Sequence, residues 1–231
     1  RIFRNLPVIR YRGRIHEYLE RTDGRSMSCV DAVNELSLYH TGYGARENQE
    51  KKADGRNLRL IRAELAEHPE DWKMWGYLGN EYSATGEFAQ AEEAYRKAAA
   101  LIPEKLETYD SRAADIFSRL LDLLAFRTKA EQSEVMKVYE QAVRCRPQEA
   151  DFDYVLGRYF ASKGDYRGAQ EHLKRALGLL ETYGHTEKAA MLSADLTGTY
   201  ELLAACCYNN GELAECVKLT TMLLKPAHYL M

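Results

Sequence analysis

The sequence predicts a mainly α protein, a solenoid of antiparallel helix hairpins preceded by a short irregular segment that contains β-strand. Two observations lead there. From Asn57 onward apolar residues recur with helical spacing, and one order of aromatic, Leu-Gly, small and proline residues returns several times along the chain. Before residue 43 that period is absent and short alternating stretches replace it.

The clearest copy spans 72–105, with Trp75, Leu78, Gly79, Tyr82, Gly86, Phe88, Ala91, Tyr95, Ala98 and Pro103 at set places. This is the signature of the tetratricopeptide repeat (TPR), a hairpin of about 34 residues. Small residues at the helix crossing, Gly79 and Ala91, permit close approach, and Trp75, Tyr82 and Tyr95 fill the space around them. Gly86 closes the first helix, and Pro103 stops the second. A second good copy runs over 150–183 through Leu156, Gly157, Phe160, Gly164, Tyr166, Ala169, Leu173 and Ala176. A degenerate one runs over 197–230 through Tyr200, Leu203, Ala204, Cys207, Gly211, Leu213, Cys216 and Leu223, where Cys216 replaces the small alanine.

Between the good copies, 106–149 is stretched. Pro103 and Pro147 stand 44 residues apart, beyond the repeat period of about 34. Tyr109, Ala113, Ile116, Leu120, Leu121 and Leu124 keep a helical stripe, and the turn after them holds Arg127 and Lys129 instead of glycine. Upstream, 57–68 reads as a lead helix with Leu58, Ile61 and Leu65 on one face, capping the first hairpin. The expected array therefore covers 56–231, with 1–55 as a separate leading segment and linker.

Composition sets outer limits. The 231 residues are 45% hydrophobic and 29% charged, and no apolar run approaches the roughly 20 residues of a membrane span. A formal charge of −3 gives no basic footprint for nucleic acid. Five cysteines, two of them adjacent at Cys206 and Cys207, argue against a disulfide framework and for a cytoplasmic location. The chain opens on Arg1 without the pattern of a secretory signal, which is the expectation for a start within a longer protein.

Hairpins of this kind line a concave face with the first helix of each pair. The positions between the packing residues are Lys73, Gly76, Asn80 and Ser83, then Asp151, Tyr154, Arg158 and Ala161, then Gly198, Glu201, Ala205 and Tyr208. Lys73, Asn80, Tyr154, Arg158, Glu201 and Tyr208 are the candidate groove residues, a polar set with two tyrosines that suits an extended peptide or protein segment.

In the leading segment, Ile9 to Glu17 alternates strictly. Ile9, Tyr11, Gly13 and Ile15 fall on one side, with Arg10, Arg12, Arg14 and His16 on the other. A row of guanidinium groups suits phosphate, and His16 beside Glu17 offers an acid, a base or a metal ligand. An exposed strand kept soluble by charge explains the arginines equally well. Leu36, Leu38 and His40 suggest a second strand ending in a turn at Thr41 to Gly44.

RIFRN, RYRGRIHEYL, YHTGYG and RNLRLIRAELAEHPED, followed by a TPR hairpin, resemble the C-terminal end of bacterial family 2 glycosyltransferases that carry TPR repeats. The resemblance implies that 1–55 is the edge of a GT-A domain. It implies a nucleotide-sugar donor and a divalent metal, Mg or Mn, for the parent enzyme, and no cofactor in this stretch. It places His16 and Glu17 in the catalytic site, with Arg10, Arg12, Arg14 and His40 near the donor phosphates. The nucleotide-sugar domain itself is missing from the sequence, so the chain alone is expected to be inactive. Its one Asp-x-Asp, Asp151 to Asp153, reads as charge at a helix N-terminus. The competing reading is a non-enzymatic adaptor whose whole function is the groove.

Overall fold

The computed structural model describes residues 5–25, 27, 55–106, 111–184 and 189–224. Within these, two strands, β1 (Ile9–Arg12) and β2 (Tyr18–Arg21), precede ten helices: α1 (Arg56–Glu67), α2 (Trp72–Thr85), α3 (Phe88–Leu101), α4 (Arg112–Phe126), α5 (Gln132–Cys145), α6 (Ala150–Ser162), α7 (Tyr166–Tyr183), α8 (Ala190–Ala194), α9 (Leu196–Asn209) and α10 (Leu213–Leu224). Helices α2/α3, α4/α5, α6/α7 and α9/α10 are four successive hairpins. Each hairpin packs on the next through a core running from Ala91 to Leu219.

Local chemistry sets the helix ends. The Asp71 carboxylate accepts from the Lys73 and Met74 amides at 3.0 and 3.1 Å and starts α2, and Asp165 accepts from Gly168 N at 2.9 Å at the start of α7. Gly86 ends α2 at φ 81°, a left-handed conformation that a side chain resists. The turn between α4 and α5 meets the same geometric demand with Lys129 at φ 53°, at a steric cost that glycine avoids.

At Gly79 the close contact is with a ring. A Cβ there would lie 2.5 Å from Tyr95 Cδ1, and the Tyr95 ring is almost fully buried. Gly157 makes the same space for Leu173. Trp75 donates its indole N–H to Pro69 O at 2.8 Å, fixing the chain between α1 and α2.

Helix α1 turns Ile61 and Leu65 onto Met74, Leu78 and Ala94. Fully burying such side chains contributes about 2 kcal/mol each, which seals this end of the array. Arg56 and Arg59 are exposed on its outer side, Arg62 donates to the Tyr82 hydroxyl of α2 at 2.7 Å, and Glu67 pairs with Arg14.

The strand expected over Ile9 to Glu17 is shorter. It ends at Arg12, because Gly13 at φ 91° and His16 at φ 54° reverse the chain, and β2 returns antiparallel with Tyr18 opposite Arg12 and Arg21 opposite Ile9. The alternation therefore does not sort into one apolar and one cationic face: Tyr11 is exposed, while Ile15 in the turn packs against the α1/α2 cluster. His40, Tyr43, the second expected strand and Tyr109 lie outside the described residues.

Candidate functional site

The first helices of the first three hairpins, α2, α4 and α6, pack side by side. On α4, Asp115 lies between two arginines: Arg119 Nε donates to Asp115 Oδ1 at 2.7 Å, and Arg112 Nη1 is 3.6 Å from Oδ2. Two turns beyond Asp115, Asp122 faces Arg158 of α6, with Nη1 to Oδ1 at 3.3 Å, and the Arg158 guanidinium also lies over the Phe126 and Tyr154 rings at 4.7 and 5.3 Å. On the α2 side, Asn80 Oδ1 accepts from the Tyr95 hydroxyl at 2.7 Å. Burial raises the Tyr95 pKa, and the neighbouring Arg119 partly offsets that effect.

The result is a belt of partly exposed, alternating charges crossing from helix to helix. Acid and base hold each other in fixed geometry, so these groups are positioned before any ligand arrives. A cavity of about 450 Å³ opens at the N-terminal end of the belt. Its walls include Arg112, Asp115, Ser118 and Arg119 of α4, Asp151 of α6 and Met191 of α8.

Three expected groove positions belong to the core. Gly76 is buried, and a Cβ on it would stand 2.7 Å from Ile116 Cδ1 of the next repeat. Tyr154 and Asp151 are only 4% and 5% exposed. For Tyr154 and Asp151 the reason is α8, a helix that the repeat pattern did not reveal. The Asp151 carboxylate accepts from the Met191 and Leu192 amides at 3.0 and 2.9 Å, so it caps α8, and the Tyr154 hydroxyl donates to Asp195 Oδ2 at 2.7 Å. Burial raises the Asp151 pKa, and those two amide hydrogen bonds pull it back.

Asp153 is 1% exposed. It accepts from the Tyr139 hydroxyl at 2.8 Å, meets His172 Nδ1 at 2.7 Å, and lies 3.2 Å from Arg175 Nε. The Asp-x-Asp that reads as helix-terminal charge is thus two buried joints, one to α8 and one tying α5, α6 and α7 together. Sequence reasoning missed both roles because each partner lies on another helix; the one local signal was a pair of carboxylates among apolar neighbours.

Other expected groove residues stay accessible. Lys73 is exposed with its ammonium 5.3 Å from the Trp72 ring, and Arg158 is partly exposed. On α9, Glu201 and Tyr208 are exposed beyond α8, with Tyr208 at 64%. Arg112, Asp115, Arg119 and Asp122 were not singled out, because the stretched second repeat hid which face of α4 looks inward.

The arginines of the leading segment make contacts within it and with α1. Arg12 pairs with Glu20 at 2.8 Å, Arg10 donates to its neighbour Ile9 O, and Arg14 reaches α1, donating to Ala63 O at 3.0 Å and pairing with Glu67. His16 stacks flat on Tyr77 at 3.3 Å, and the Arg112 guanidinium lies 4.4 Å from the same ring. Among the described residues no three His, Cys, Asp or Glu side chains converge on one point.

Burial, and secondarily Arg112, lowers the His16 pKa below 6.5. The neutral ring is thus favoured when docked. The docking free energy is complete above about pH 6.5 and is lost as pH falls through the lowered docked value. Amide protection factors over residues 9–21 should drop between pH 7.5 and pH 5, and a His16→Phe variant should flatten the change. Equal protection at both pH values would exclude this linkage.

Residues 72–105 match the sequence profile of the tetratricopeptide repeat. No curated protein matches the chain. Among solved structures the chain is similar to MamA, with 18% identity over 81% of this chain and 95% of that one and a TM-score of 0.57. It is also similar to YrrB, described as a TPR protein with an unusual peptide-binding site, with 22% identity over 73% and 76% of the two chains and a TM-score of 0.53. MamA from residue 41 to its end, from Desulfovibrio magneticus RS-1, gives 13% identity over 78% and 92% and a TM-score of 0.53. At these identities the likeness is one of fold. The chain is a TPR-type α-solenoid, with a tetratricopeptide repeat at residues 72–105.

Proposed function

We propose that the chain is a peptide- or protein-binding module whose ligand lies extended across α2, α4 and α6. The observation that carries this reading is the charge belt: Asp115 with Arg119, and Asp122 with Arg158, both partly exposed and fixed by contacts within and between helices. Such a row offers paired donors and acceptors to a polypeptide backbone and to charged side chains of either sign.

The test is to pan a random peptide display library on the folded chain and titrate the selected peptides by fluorescence polarisation. Arg119→Glu and Arg158→Glu should each weaken binding about 10-fold or more. Arg144→Glu, on the exposed side of α5, should leave it unchanged. Peptides that bind all three variants alike would remove the groove from the reading.

The finer proposal, from the resemblance at residues 1–55, is that this module is attached to a family 2 glycosyltransferase acting on a nucleotide-sugar. In that arrangement the β1–β2 hairpin, docked through Arg14, Ile15 and His16, serves as a rigid junction to the array. It stands or falls on whether the residues upstream of Arg1 in the gene encode a βαβ pattern with an Asp-x-Asp after a strand. Free thiols at Cys145, Cys206, Cys207 and Cys216 favour the cytoplasm as the compartment. Among the described residues no helix is long and apolar enough to cross a membrane.

A further inference from the structure

One stripe of α2 holds more than the two candidate groove residues. Lys73, Tyr77 and Asn80 are spaced four and three apart, which puts the Tyr77 ring on the same side of the helix as the other two. Beside it Gly76 receives Ile116 of α4, and Arg112, one turn before Ile116, brings its guanidinium over Tyr77 at 4.4 Å. His16 lies flat on the same ring, with centroids 3.3 Å apart and planes 8° from parallel. The imidazole takes one face of the ring, so the guanidinium lies over the other. Tyr77 is thereby clamped between the leading segment and the charge belt.

From that clamp the contacts run on into the belt. Arg112 Nη1 stands 3.6 Å from Asp115 Oδ2, Asp115 Oδ1 accepts from Arg119 Nε at 2.7 Å, and all three residues line the cavity. On the other side, the turn that presents His16 is fastened at two more points. Ile15 packs on the cluster of Ile61, Leu65 and Met74, and Arg14 donates to Ala63 O at 3.0 Å and pairs with Glu67. These fastenings matter because a two-stranded hairpin alone is marginal in water. They also hold His16 at φ 54°, a left-handed conformation that a residue with a side chain adopts at a steric cost. His16 and Lys73 nevertheless remain exposed, open to a molecule lying in the groove.

We infer that the peptide-binding surface continues from the belt onto this turn, with the hairpin as its wall beside α2 and His16 as a positioning residue that holds Tyr77 against Arg112. The inference rests on the peptide-binding reading of the belt. Its partner is the same extended polypeptide, running from α6 across α4 and α2 to the hairpin. Undocking the turn frees the Tyr77 ring and with it Arg112, so the group of Arg112, Asp115 and Arg119 loses part of the geometry it holds before a ligand arrives. Because linkage between two sites is reciprocal, a bound peptide in turn holds the hairpin down.

Two measurements on the full chain with a display-selected peptide test this. In fluorescence polarisation at pH 7.5, His16→Gly, which removes the ring and eases the backbone, should weaken binding about 5-fold or more. His16→Phe keeps a flat ring on Tyr77 and should stay within about 2-fold of the unaltered chain. Arg14→Ala loosens the turn from α1 without touching Tyr77, and should weaken binding in the same direction by about 2-fold. In hydrogen exchange, saturating peptide should raise amide protection over residues 9–21 in the unaltered chain and not in His16→Gly. Circular dichroism of each variant checks that the helices are kept. A peptide that is sensitive to Arg119→Glu but indifferent to His16→Gly, with no gain in protection over residues 9–21, overturns this inference and leaves the belt reading standing. Tighter binding by His16→Gly would show that the turn blocks the groove, and overturns it as well. Peptides indifferent to Arg119→Glu remove both readings.

Discussion

Asp153→Ala should destabilise the array by about 3 kcal/mol, because it removes one member of a buried, hydrogen-bonded charge cluster. The loss has three parts. The Tyr139 hydroxyl, whose pKa is raised by burial and by Asp153 itself, is left without its acceptor. His172, stacked at 5.4 Å on Phe160 and edge-on to Tyr139, loses the partner that orients its ring. Arg175 is half-exposed and can turn to water, so it adds least. Asp153→Asn keeps the shape and one acceptor oxygen, and should cost only about 1–2 kcal/mol. Urea unfolding followed by circular dichroism reads both, and equal losses for Ala and Asn would show that charge and hydrogen bonding at this joint do not matter.

A second large effect is expected at Gly157. Adding one methyl group places it 2.6 Å from Leu173 Cδ2 and 3.2 Å from the Leu173 backbone nitrogen. Leu173 is fully buried, so α7 must move away from α6. Overpacking of this kind costs about 1–3 kcal/mol, against a helix-propensity gain of about 1 kcal/mol for Gly→Ala; the net sign is a loss. Gly178→Ala in the same α7 is the matched control: nothing lies within 4 Å of the added Cβ. There only the propensity term operates, so stability should rise by about 0.5–1 kcal/mol. If both substitutions moved the unfolding midpoint the same way, contact with Leu173 would not be the reason for glycine at 157.

The periodic elements were legible because their causes are local. Gly86 and Gly164 end helices whose apolar spacing announces them, and the Leu58, Ile61 and Leu65 stripe marks α1. What stayed hidden depends on residues far apart in the chain. Asp151 looks like ordinary helix-terminal charge until the Met191 and Leu192 amides are seen above it, 40 and 41 residues later. Gly76 reads as an open groove position because the spacing of its own helix cannot show that Ile116 fills the space. The row from Arg10 to His16 failed for a local reason that was visible: Gly13 stands in its middle, and a positive-φ glycine there ends the strand. The inward residues of α4 were concealed by the stretched second unit, whose frame could not be counted from a glycine turn.

Helix α8 also sets a length. By lying over Asp151 and Tyr154 it closes the inner side of α6 at its N-terminal end, and it packs against both α6 and α9. The uninterrupted floor is therefore three helices wide. With neighbouring helix axes about 9 Å apart the floor spans roughly 20–27 Å, and an extended chain advancing about 3.3 Å per residue crosses it in about 6–8 residues. Under the proposed binding mode a segment of that size would fill the floor, and a longer one would leave it at α8.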